Sequence, residues 1–388
     1  MRSNDEFWTD GTIPWLKTEQ LGEKYIFDTN EYITEKALQE ANVKIFPENT
    51  LSIAMYGEGK TRGNVSILKR PMATNQACCN IELDEEKVSS EYVYYFLKTQ
   101  YENLRGLSSG IRKNLNTNDI KNFVVRLPEN LKTQQSIAAV LSALDKKIAL
   151  NKQINARLEE MAKTLYDYWF VQFDFPDANG KPYKSSGGEM VFDETLKREI
   201  PKGWEVKSLN QVADIVMGQS PDGASYNLEQ EGTIFFQGST DFDWRFPNVR
   251  QYTTSPTRFA QKGDILLSVR APVGDLNISP FECCIGRGLA ALRSKSGNNS
   301  FLFYVMKYFK TVFERRNTEG TTFGSITKDD LHSLKLVAPA DNVLEKYNEI
   351  ASKYDEMIFI RSQQNHQLTQ LRDFLLPMLM NGQVSVAE

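Results

Sequence analysis

The chain carries one pattern of residues twice, in the same order. Gly11-Thr-Ile recurs as Gly232-Thr-Ile, and LSIA at residues 51–54 recurs as ILLS at residues 265–268. A later pattern that ends at Pro128 recurs with its end at Pro339. Each proline is followed by a helix-like run of roughly 40 residues, judged by apolar periodicity. The duplication predicts two similar surfaces at the ends of a rigid spacer, an arrangement suited to a polymer such as DNA.

Local patterns predict an α+β fold, with two similar mixed α/β domains separated by two long helices paired as an antiparallel coiled coil. Short strand patterns, such as residues 50–55 and 65–68, alternate with glycine breakers, and apolar spacing predicts a helix over residues 90–104. The predicted parts are a first domain at 1–132, a central long helix at 133–172, a linker at 173–203, a second domain at 204–340 and a C-terminal long helix at 341–382.

Both long helices place polar residues in the middle of an apolar seam. In the central helix these are Asn151 and Asn155, and in the C-terminal helix they are Arg361 and Asn365. Antiparallel pairing would bring the two sets together, where buried polar groups fix the register at some cost in stability. Two amphipathic helices, each packed on its own domain, remain the alternative.

Composition narrows the class of protein. No apolar run reaches the roughly 18 residues of a membrane span, and the N-terminus lacks the apolar core of a signal peptide, so we expect a cytoplasmic protein. The cysteines form two adjacent pairs, at 78–79 and 283–284, and the chain has only 2 histidines. Neither spacing is typical of a zinc site, and we predict ordinary thiols and no bound metal.

Three short motifs resemble parts of catalytic sites, but the residues around them do not fit such sites. AMYGEGKT at residues 54–61 resembles a phosphate-binding loop, but a strand pattern follows it where such a loop leads into a helix. SPF at residues 279–281 is one proline short of a DNA methyltransferase motif, and no glycine-rich cofactor loop accompanies it. Glu85 and Lys87 lie in a charged run typical of a solvated surface. The sequence therefore predicts a non-catalytic chain, with a fused methyltransferase as a disfavoured alternative.

One segment of the chain is basic, although the chain as a whole has a negative net charge. The net charge is −4, yet residues 236–316 hold 12 lysines and arginines against 6 acidic residues. Aromatic residues are interleaved with them, and this combination is a footprint for phosphate binding. A mixed, solvated surface is the alternative explanation.

Four segments give the chain a family resemblance. They are LYDYWFVQFDFP at residues 165–176, IPKGWE at 200–205, GQSP at 218–221 and LLPMLMNG at 375–382. Over nearly its whole length, the chain resembles the specificity (S) subunit of a type I restriction-modification system.

The resemblance implies a DNA-binding scaffold. Two target recognition domains would each bind one half of a split, asymmetric sequence in double-stranded DNA. The paired helices would hold these domains apart and dock two methyltransferase (M) subunits, and restriction (R) subunits would complete the assembly. It implies no cofactor in this chain, with S-adenosylmethionine, ATP and Mg on the partner subunits. A coiled-coil scaffold that does not read DNA is the alternative.

The first domain departs from the second at its start. About 28 residues precede the Gly-Thr-Ile of the second domain, counted from Trp204, whereas ten precede that of the first. We therefore expect the first domain to lack a segment matching residues 203–231. Either its start lies upstream of Met1 or the deletion is natural, and DNA recognition by the first domain is put in question.

Candidate DNA-contacting residues lie on glycine-flanked loops, where the backbone can approach phosphates and long side chains can reach bases. Arg270 aligns with Tyr56 and Arg287 with Gln76, so equivalent loops would read different bases. The candidates are Tyr56, Lys60, Arg62, Asn75, Arg112 and Lys113 in the first domain, and Trp244, Arg245, Arg270, Arg287, Arg316 and Thr322 in the second.

Candidate partner-binding residues are the outer faces of the long helices and the aromatic cluster Tyr166, Tyr168, Trp169 and Phe170. Two quasi-equivalent helical regions suggest two copies of one partner. A structural role in the core is the alternative for these aromatic residues, and for Trp169 above all, because it continues the apolar seam.

Overall fold

The chain folds into two compact units that share the long helices. The computed structural model describes residues 2, 4–57, 61–107, 114–318 and 325–386, without the side chains of 314–318. Unit 1 comprises Met1–Leu150 and Gln364–Glu388, and unit 2 comprises Asn151–Gln363. Each long helix therefore contributes one part to each unit.

Unit 1 holds eight strands, which are β1 (Ile13–Leu16), β2 (Tyr25–Ile26), β3 (Glu31–Ile33), β4 (Ile45–Phe46), β5 (Leu51–Ala54), β6 (Val65–Leu68), β7 (Met72–Thr74) and β8 (Cys78–Ile81) among its described residues. They form two four-stranded sheets, in the strand orders β3-β1-β7-β4 and β2-β6-β5-β8. Its helices before the long one are α1 (Glu35–Glu40), α2 (Ser90–Thr99), α3 (Tyr101–Gly106) and α4 (Thr117–Lys121).

The main core of unit 1 forms where α2 packs on β5 and β6. Leu51, Ile53 and Ile67 are fully buried there, beside the rings of Tyr92 and Tyr95. The helix predicted over residues 90–104 is divided in two, since α2 ends at Thr99 and α3 begins at Tyr101.

The first long helix, α5, spans Leu131–Tyr166 and is followed by a π-helical turn at Asp167–Val171. In the remainder of the described chain, the strands are β9 (Met190–Asp193), β10 (Arg198–Pro201), β11 (Glu205–Ser208), β12 (Ala213–Met217), β13 (Tyr226–Asn227), β14 (Thr233–Phe236), β15 (Tyr252–Thr253), β16 (Phe259–Ala260), β17 (Ile265–Ser268), β18 (Leu276–Ile278), β19 (Cys283–Ile285), β20 (Leu289–Ser294) and β21 (Lys335–Ala338). The helices are α6 (Leu209–Val212), α7 (Asn299–Thr318), α8 (Lys328–Ser333) and α9 (Asp341–Met380).

Unit 2 repeats the order β3-β1-β7-β4 as β15-β14-β19-β16 and the order β6-β5-β8 as β18-β17-β20. It adds β12 and β13, and no described strand of unit 2 takes the place of β2. Its larger sheets have the orders β12-β20-β17-β18 and β13-β15-β14-β19-β16, and β11 pairs with β21. The predicted duplication is confirmed at the level of hydrogen bonds. The Met55 amide donates to the Ala77 carbonyl at 2.8 Å in unit 1, and the Val269 amide donates to the Gly288 carbonyl at 2.9 Å in unit 2.

Residues 173–203, predicted as a linker, contain a paired hairpin and part of the core. β9 and β10 are antiparallel, and the Phe175 ring stacks on Tyr183 at 4.7 Å and on Trp204 at 4.9 Å. The pattern of Pro, Gly and Ser did not reveal this, because the aromatic partners become neighbours only in the folded chain.

The long helices run antiparallel within each unit, as predicted. In unit 1, the Asn365 side chain donates to the Ile148 carbonyl at 3.4 Å. In unit 2, Asn155 is buried and its side-chain amide donates to Ser362 Oγ at 3.1 Å, next to Arg361 in the sequence. α9 continues past Pro377 to Met380.

Candidate nucleic-acid interface

The second domain carries two exposed arginines at one end of a sheet. In the antiparallel pairing of β17 with β20, Ser268 lies opposite Leu289. The Val269 amide continues this pairing by donating to Gly288. Arg270 follows Val269 directly and bridges Ser325, and Arg287 precedes Gly288 in the turn that the Leu289 amide closes on the Gly286 carbonyl. Both arginines are exposed. The two predicted DNA-contacting residues thus flank the same Val269–Gly288 hydrogen bond at one end of the sheet, and we call this place the arginine surface.

The turn at residues 218–221 lies against this surface. The Gly218 amide donates to the Leu289 carbonyl at 2.9 Å, and the Arg287 amide donates to Ser220 Oγ at 3.3 Å. A Cβ at position 218 would lie 2.2 Å from the Gly286 carbonyl oxygen, closer than real side chains approach. This position needs glycine because two backbones meet there.

The first domain holds Tyr56 at the place of Arg270. Ala54 lies opposite Cys78 in the pairing of β5 with β8, and the Met55–Ala77 hydrogen bond extends it. The exposed Tyr56 follows Met55 and the exposed Gln76 precedes Ala77, so these two residues flank the Met55–Ala77 hydrogen bond.

Asn75 begins the turn that presents Gln76. It is half-buried, and its side-chain oxygen accepts a hydrogen bond from the Ala77 amide at 3.1 Å. Its side chain therefore shapes the loop.

Arg62 lies beside α3 and is half-buried. Its carbonyl oxygen accepts a hydrogen bond from Arg105 Nη1 at 3.4 Å, and the Arg105 guanidinium lies 5.3 Å from the centre of the Tyr101 ring. Arg105 was not among the predicted residues: it directly follows the helix predicted over residues 90–104, and the candidates were taken from glycine-flanked loops. The structure thus adds a second arginine next to Arg62.

Arg245 corrects the sequence prediction, because its side chain is held inside unit 2. The residue is 3% exposed. Its guanidinium donates to Glu159 Oε2 at 2.6 Å and to Asp355, and it lies 3.9 Å from the centre of the Phe303 ring. These two carboxylates come from the two long helices, so Arg245 joins the recognition domain to both of them.

The neighbouring Trp244 is about half exposed but lies away from the arginine surface. The Arg245 carbonyl accepts a hydrogen bond from the Ile278 amide, and Ile278 lies opposite Ile265 at the start of β17. Arg270 follows the other end of that strand. Trp244 and Arg270 therefore belong to opposite ends of the same sheet.

Many cations of the basic segment are paired with carboxylates. Arg293 makes two hydrogen bonds to Asp264, at 2.6 and 2.8 Å, and Lys310 contacts Asp275 at 2.7 Å. The local excess of charge predicted from residues 236–316 is thus partly neutralised, and Arg270 and Arg287 are among the exposed cations of this segment.

Five of the predicted DNA-contacting residues receive no side-chain description. Lys60, Arg112, Lys113 and Thr322 lie outside the described residues. Arg316 falls within α7, but its side chain is among those that are left undescribed.

The aromatic cluster predicted for partner binding is mostly core. Tyr166, Trp169 and Phe170 are buried in unit 2, where the Phe170 ring lies 4.8 Å from Phe301 and 4.9 Å from Tyr347. These side chains fill the junction of helix and domain, which corrects their assignment as contact residues. Tyr168 is the exposed member of the set.

The cysteines are free thiols, as expected. Cys78, Cys283 and Cys284 are buried and Cys79 is half-buried. Burial raises the pKa of the Cys78 and Cys283 thiols to about 12. Among the described residues, no three His, Cys, Asp or Glu side chains form a group that could hold a metal ion. In that same part of the chain, every helix is too short or too polar to cross a bilayer.

Comparison with known proteins assigns the family. The model of the type I restriction modification DNA specificity domain matches this chain twice, over residues 1–160 and 201–370. The chain belongs to this family. The two matches fall on the two copies of the repeat, and they confirm the resemblance seen in the sequence.

Individual members of the specificity family are similar over different lengths. The putative type I restriction enzyme MjaX specificity subunit of Methanocaldococcus jannaschii is 36% identical over 71% of this chain, and the match spans 62% of that relative. The MjaIX specificity subunit of the same organism is 30% identical over 99% of this chain and 89% of its own length. The crystal structure of the type I S subunit from M. genitalium shares the fold, with a TM-score of 0.60 and 17% identity over 95% of this chain and 93% of that one.

Proposed function

We propose that this chain is the non-catalytic subunit that reads a bipartite, asymmetric sequence in double-stranded DNA for a type I restriction-modification complex. The observation that carries the proposal is the pair of exposed arginines, Arg270 and Arg287, at one end of the second domain's sheet. Membership of the specificity family supports the same role, because its members carry recognition domains and leave catalysis to other subunits.

The chemistry of the arginine pair fits base reading. A guanidinium donates two hydrogen bonds to O6 and N7 of guanine in the major groove, and such a contact discriminates against the wrong base by about 1–3 kcal/mol. Tyr56 and Gln76 occupy the equivalent places in the first domain, where a phenol and an amide would select other bases. Two domains with the same fold and different side chains on equivalent loops suit two different DNA half-sites.

The test replaces the arginines one at a time. Arg270→Ala and Arg287→Ala are each expected to weaken binding of the cognate duplex by about 5- to 150-fold, the equivalent of 1–3 kcal/mol, and to relax one base position of the methylated motif. Arg157→Ala is the control, since it removes the same charge from an exposed helical position. Affinity and motif unchanged in both test variants would contradict the assignment of the second domain.

We propose two methyltransferase subunits as direct partners, with restriction subunits completing the complex in the cytoplasm. The chain would bind no cofactor itself, and S-adenosylmethionine, ATP and Mg would belong to the partners. Support comes from apolar side chains that are exposed at equivalent places on both long helices, 210 positions apart. They are Leu150 and Met161 on α5, and Ile360 and Leu371 on α9. Apolar groups left exposed twice at matching positions suit one partner that docks twice.

Native mass spectrometry with the cognate methyltransferase subunit tests this docking. The unaltered chain should bind two copies, Met161→Glu and Leu371→Glu should each lose one copy, and the double variant should lose both. Gln153→Glu, at an exposed position of α5, is the control. A wild-type complex that stops at one copy, or variants that retain both, would contradict the proposal. A chain that binds its partners but shows no DNA affinity would favour the alternative of a coiled-coil scaffold.

A further inference from the structure

Two exposed glutamines lie beside the turn that carries Arg287. This turn, Gly286-Arg287-Gly288, joins β19 of one sheet to β20 of another. β14 pairs with β19, and β12 pairs with β20. Gln237 directly follows β14, and Gln219 comes two residues after β12, so the chain beyond each of these strands passes next to the turn. Both glutamine side chains are exposed.

The backbone of Gln237 packs against both glycines of the turn. A Cβ at Gly286 would lie 3.0 Å from the Gln237 Cα, and a Cβ at Gly288 would lie 2.7 Å from the Gln237 carbonyl oxygen. The Gln237 amide also donates to the Oδ2 atom of the buried Asp241 at 3.0 Å. These contacts fix the point at which the Gln237 side chain leaves the backbone, next to Arg287.

The backbone of Gln219 is held at both of its peptide groups. Its amide donates to the Ile285 carbonyl at 3.0 Å, and its carbonyl accepts a hydrogen bond from the Thr257 hydroxyl at 2.5 Å. The next residue, Ser220, accepts the hydrogen bond from the Arg287 amide. A backbone fixed in this way holds its side chain ready for a ligand, so less conformational freedom is lost on binding.

The equivalent of Gln237 in the first domain is a lysine that is engaged by carboxylates. The parallel strands β1 and β7 end opposite each other, as β14 and β19 do, so Lys17 takes the place of Gln237. The Lys17 ammonium lies 2.8 Å from Glu19 and 2.8 Å from Glu31, and the side chain is only 16% exposed. The same place therefore holds an exposed amide in the second domain and a neutralised lysine in the first.

We propose that Gln219 and Gln237 determine specificity, each by reading an adenine next to the guanine that Arg287 reads. The proposal rests on the DNA-reading role of the second domain proposed above. A glutamine amide matches adenine in the major groove, because it donates to N7 and accepts from the N6 amino group. A phosphate offers acceptors only, which would use half of the amide, and a cation suits it better. Since both glutamines lie beside the turn of Arg287, the three bases should be neighbours.

The test uses the complex of the full chain with its methyltransferase subunits. Sequencing of methylated DNA gives the motif of each variant, and binding to duplexes that differ by one base pair gives its discrimination. Gln219→Ala and Gln237→Ala should each weaken binding of the cognate duplex by about 5- to 150-fold. Each should relax one adenine position beside the position that Arg287→Ala relaxes. Gln237→Glu should exchange adenine for cytosine, because a carboxylate accepts from the cytosine N4 amino group but cannot donate to adenine N7.

Gln261→Ala is the matched control. Gln261 is an exposed glutamine of the same domain that precedes β17, whereas Arg270 follows the other end of that strand. This variant should leave the motif and the affinity unchanged.

Two outcomes would overturn the proposal. One is an unaltered motif in both Gln219→Ala and Gln237→Ala. The other is an equal loss of affinity on every duplex, which is the effect of a lost phosphate contact. If the variants of Arg270 and Arg287 relax the motif and the glutamine variants do not, this inference alone fails. If none of the four alanine variants changes the motif, the proposed reading of DNA by the second domain fails as well.

Discussion

Replacing the buried Arg245 should cost unit 2 a large part of its stability. Arg245→Met keeps much of the apolar volume but removes the hydrogen bonds to Glu159 and Asp355, leaving both carboxylates without this partner. Breaking a buried ion pair from one side costs about 3–5 kcal/mol. Glu159 keeps its contact with Lys307, and Asp355 keeps the Ser300 hydroxyl at 2.5 Å. We therefore expect the lower end, about 3 kcal/mol.

For a unit of roughly 200 residues, a loss of about 3 kcal/mol lowers the Tm by about 6–12 °C. Differential scanning calorimetry of the full chain measures this shift. Arg157→Met is the matched control, because that side chain is 80% exposed in its contact with Glu160, and pairs of this kind contribute at most about 1 kcal/mol. The fall in Tm of Arg245→Lys should lie between those of Arg245→Met and Arg157→Met. One ammonium group keeps the charge but cannot reproduce the planar guanidinium that donates to two carboxylates.

The same variant separates a structural role from a role in reading DNA. The motif methylated by a complex containing Arg245→Met should equal that of the unaltered chain, because the guanidinium lies between the domain and its helices. A Tm that falls no further than that of Arg157→Met would refute the reasoning from burial. A changed motif with unchanged stability would restore Arg245 to the DNA-contacting residues.

Two further pairs of variants test the packing around the candidate sites. Trp169→Ala should lower the free energy of unfolding by about 3–5 kcal/mol in chemical denaturation, because its ring is buried against Tyr347. Tyr168→Ala should change it by no more than about 0.5 kcal/mol, because Tyr168 is exposed. Equal effects of the two variants would contradict the placement of Trp169 in the core. Gly218→Ala should disturb the turn beside Arg287 and weaken DNA binding. Gly223→Ala is the control: its new Cβ would meet nothing within 4 Å, so DNA binding should be unchanged. Unchanged DNA binding in Gly218→Ala would show that the backbones at Gly218 and Gly286 can move apart.

The repeat in the sequence determined the main features of the fold. Its matched segments predicted two similar domains, and its periodicity predicted two long helices near their observed bounds at Leu131–Tyr166 and Asp341–Met380. These features depend on short-range patterns, in which strand alternation and helical spacing are visible without knowledge of the neighbours. The same alignment placed Arg270 and Arg287 on loops equivalent to those of Tyr56 and Gln76 in the first domain. Their role in DNA contact stays a prediction.

Tertiary structure decided which of the candidate side chains are exposed and can contact DNA or a partner. In the sequence, Arg245 resembles any arginine beside an exposed tryptophan, yet its partners Glu159 and Asp355 lie 86 and 110 residues away, and only the folded chain brings them around it. Burial likewise moved Tyr166, Trp169 and Phe170 from a presumed surface into the core. The sequence fixes which residues can carry charge or bury apolar area, but long-range packing selects which of them are left facing solvent, because that choice depends on partners distant along the chain.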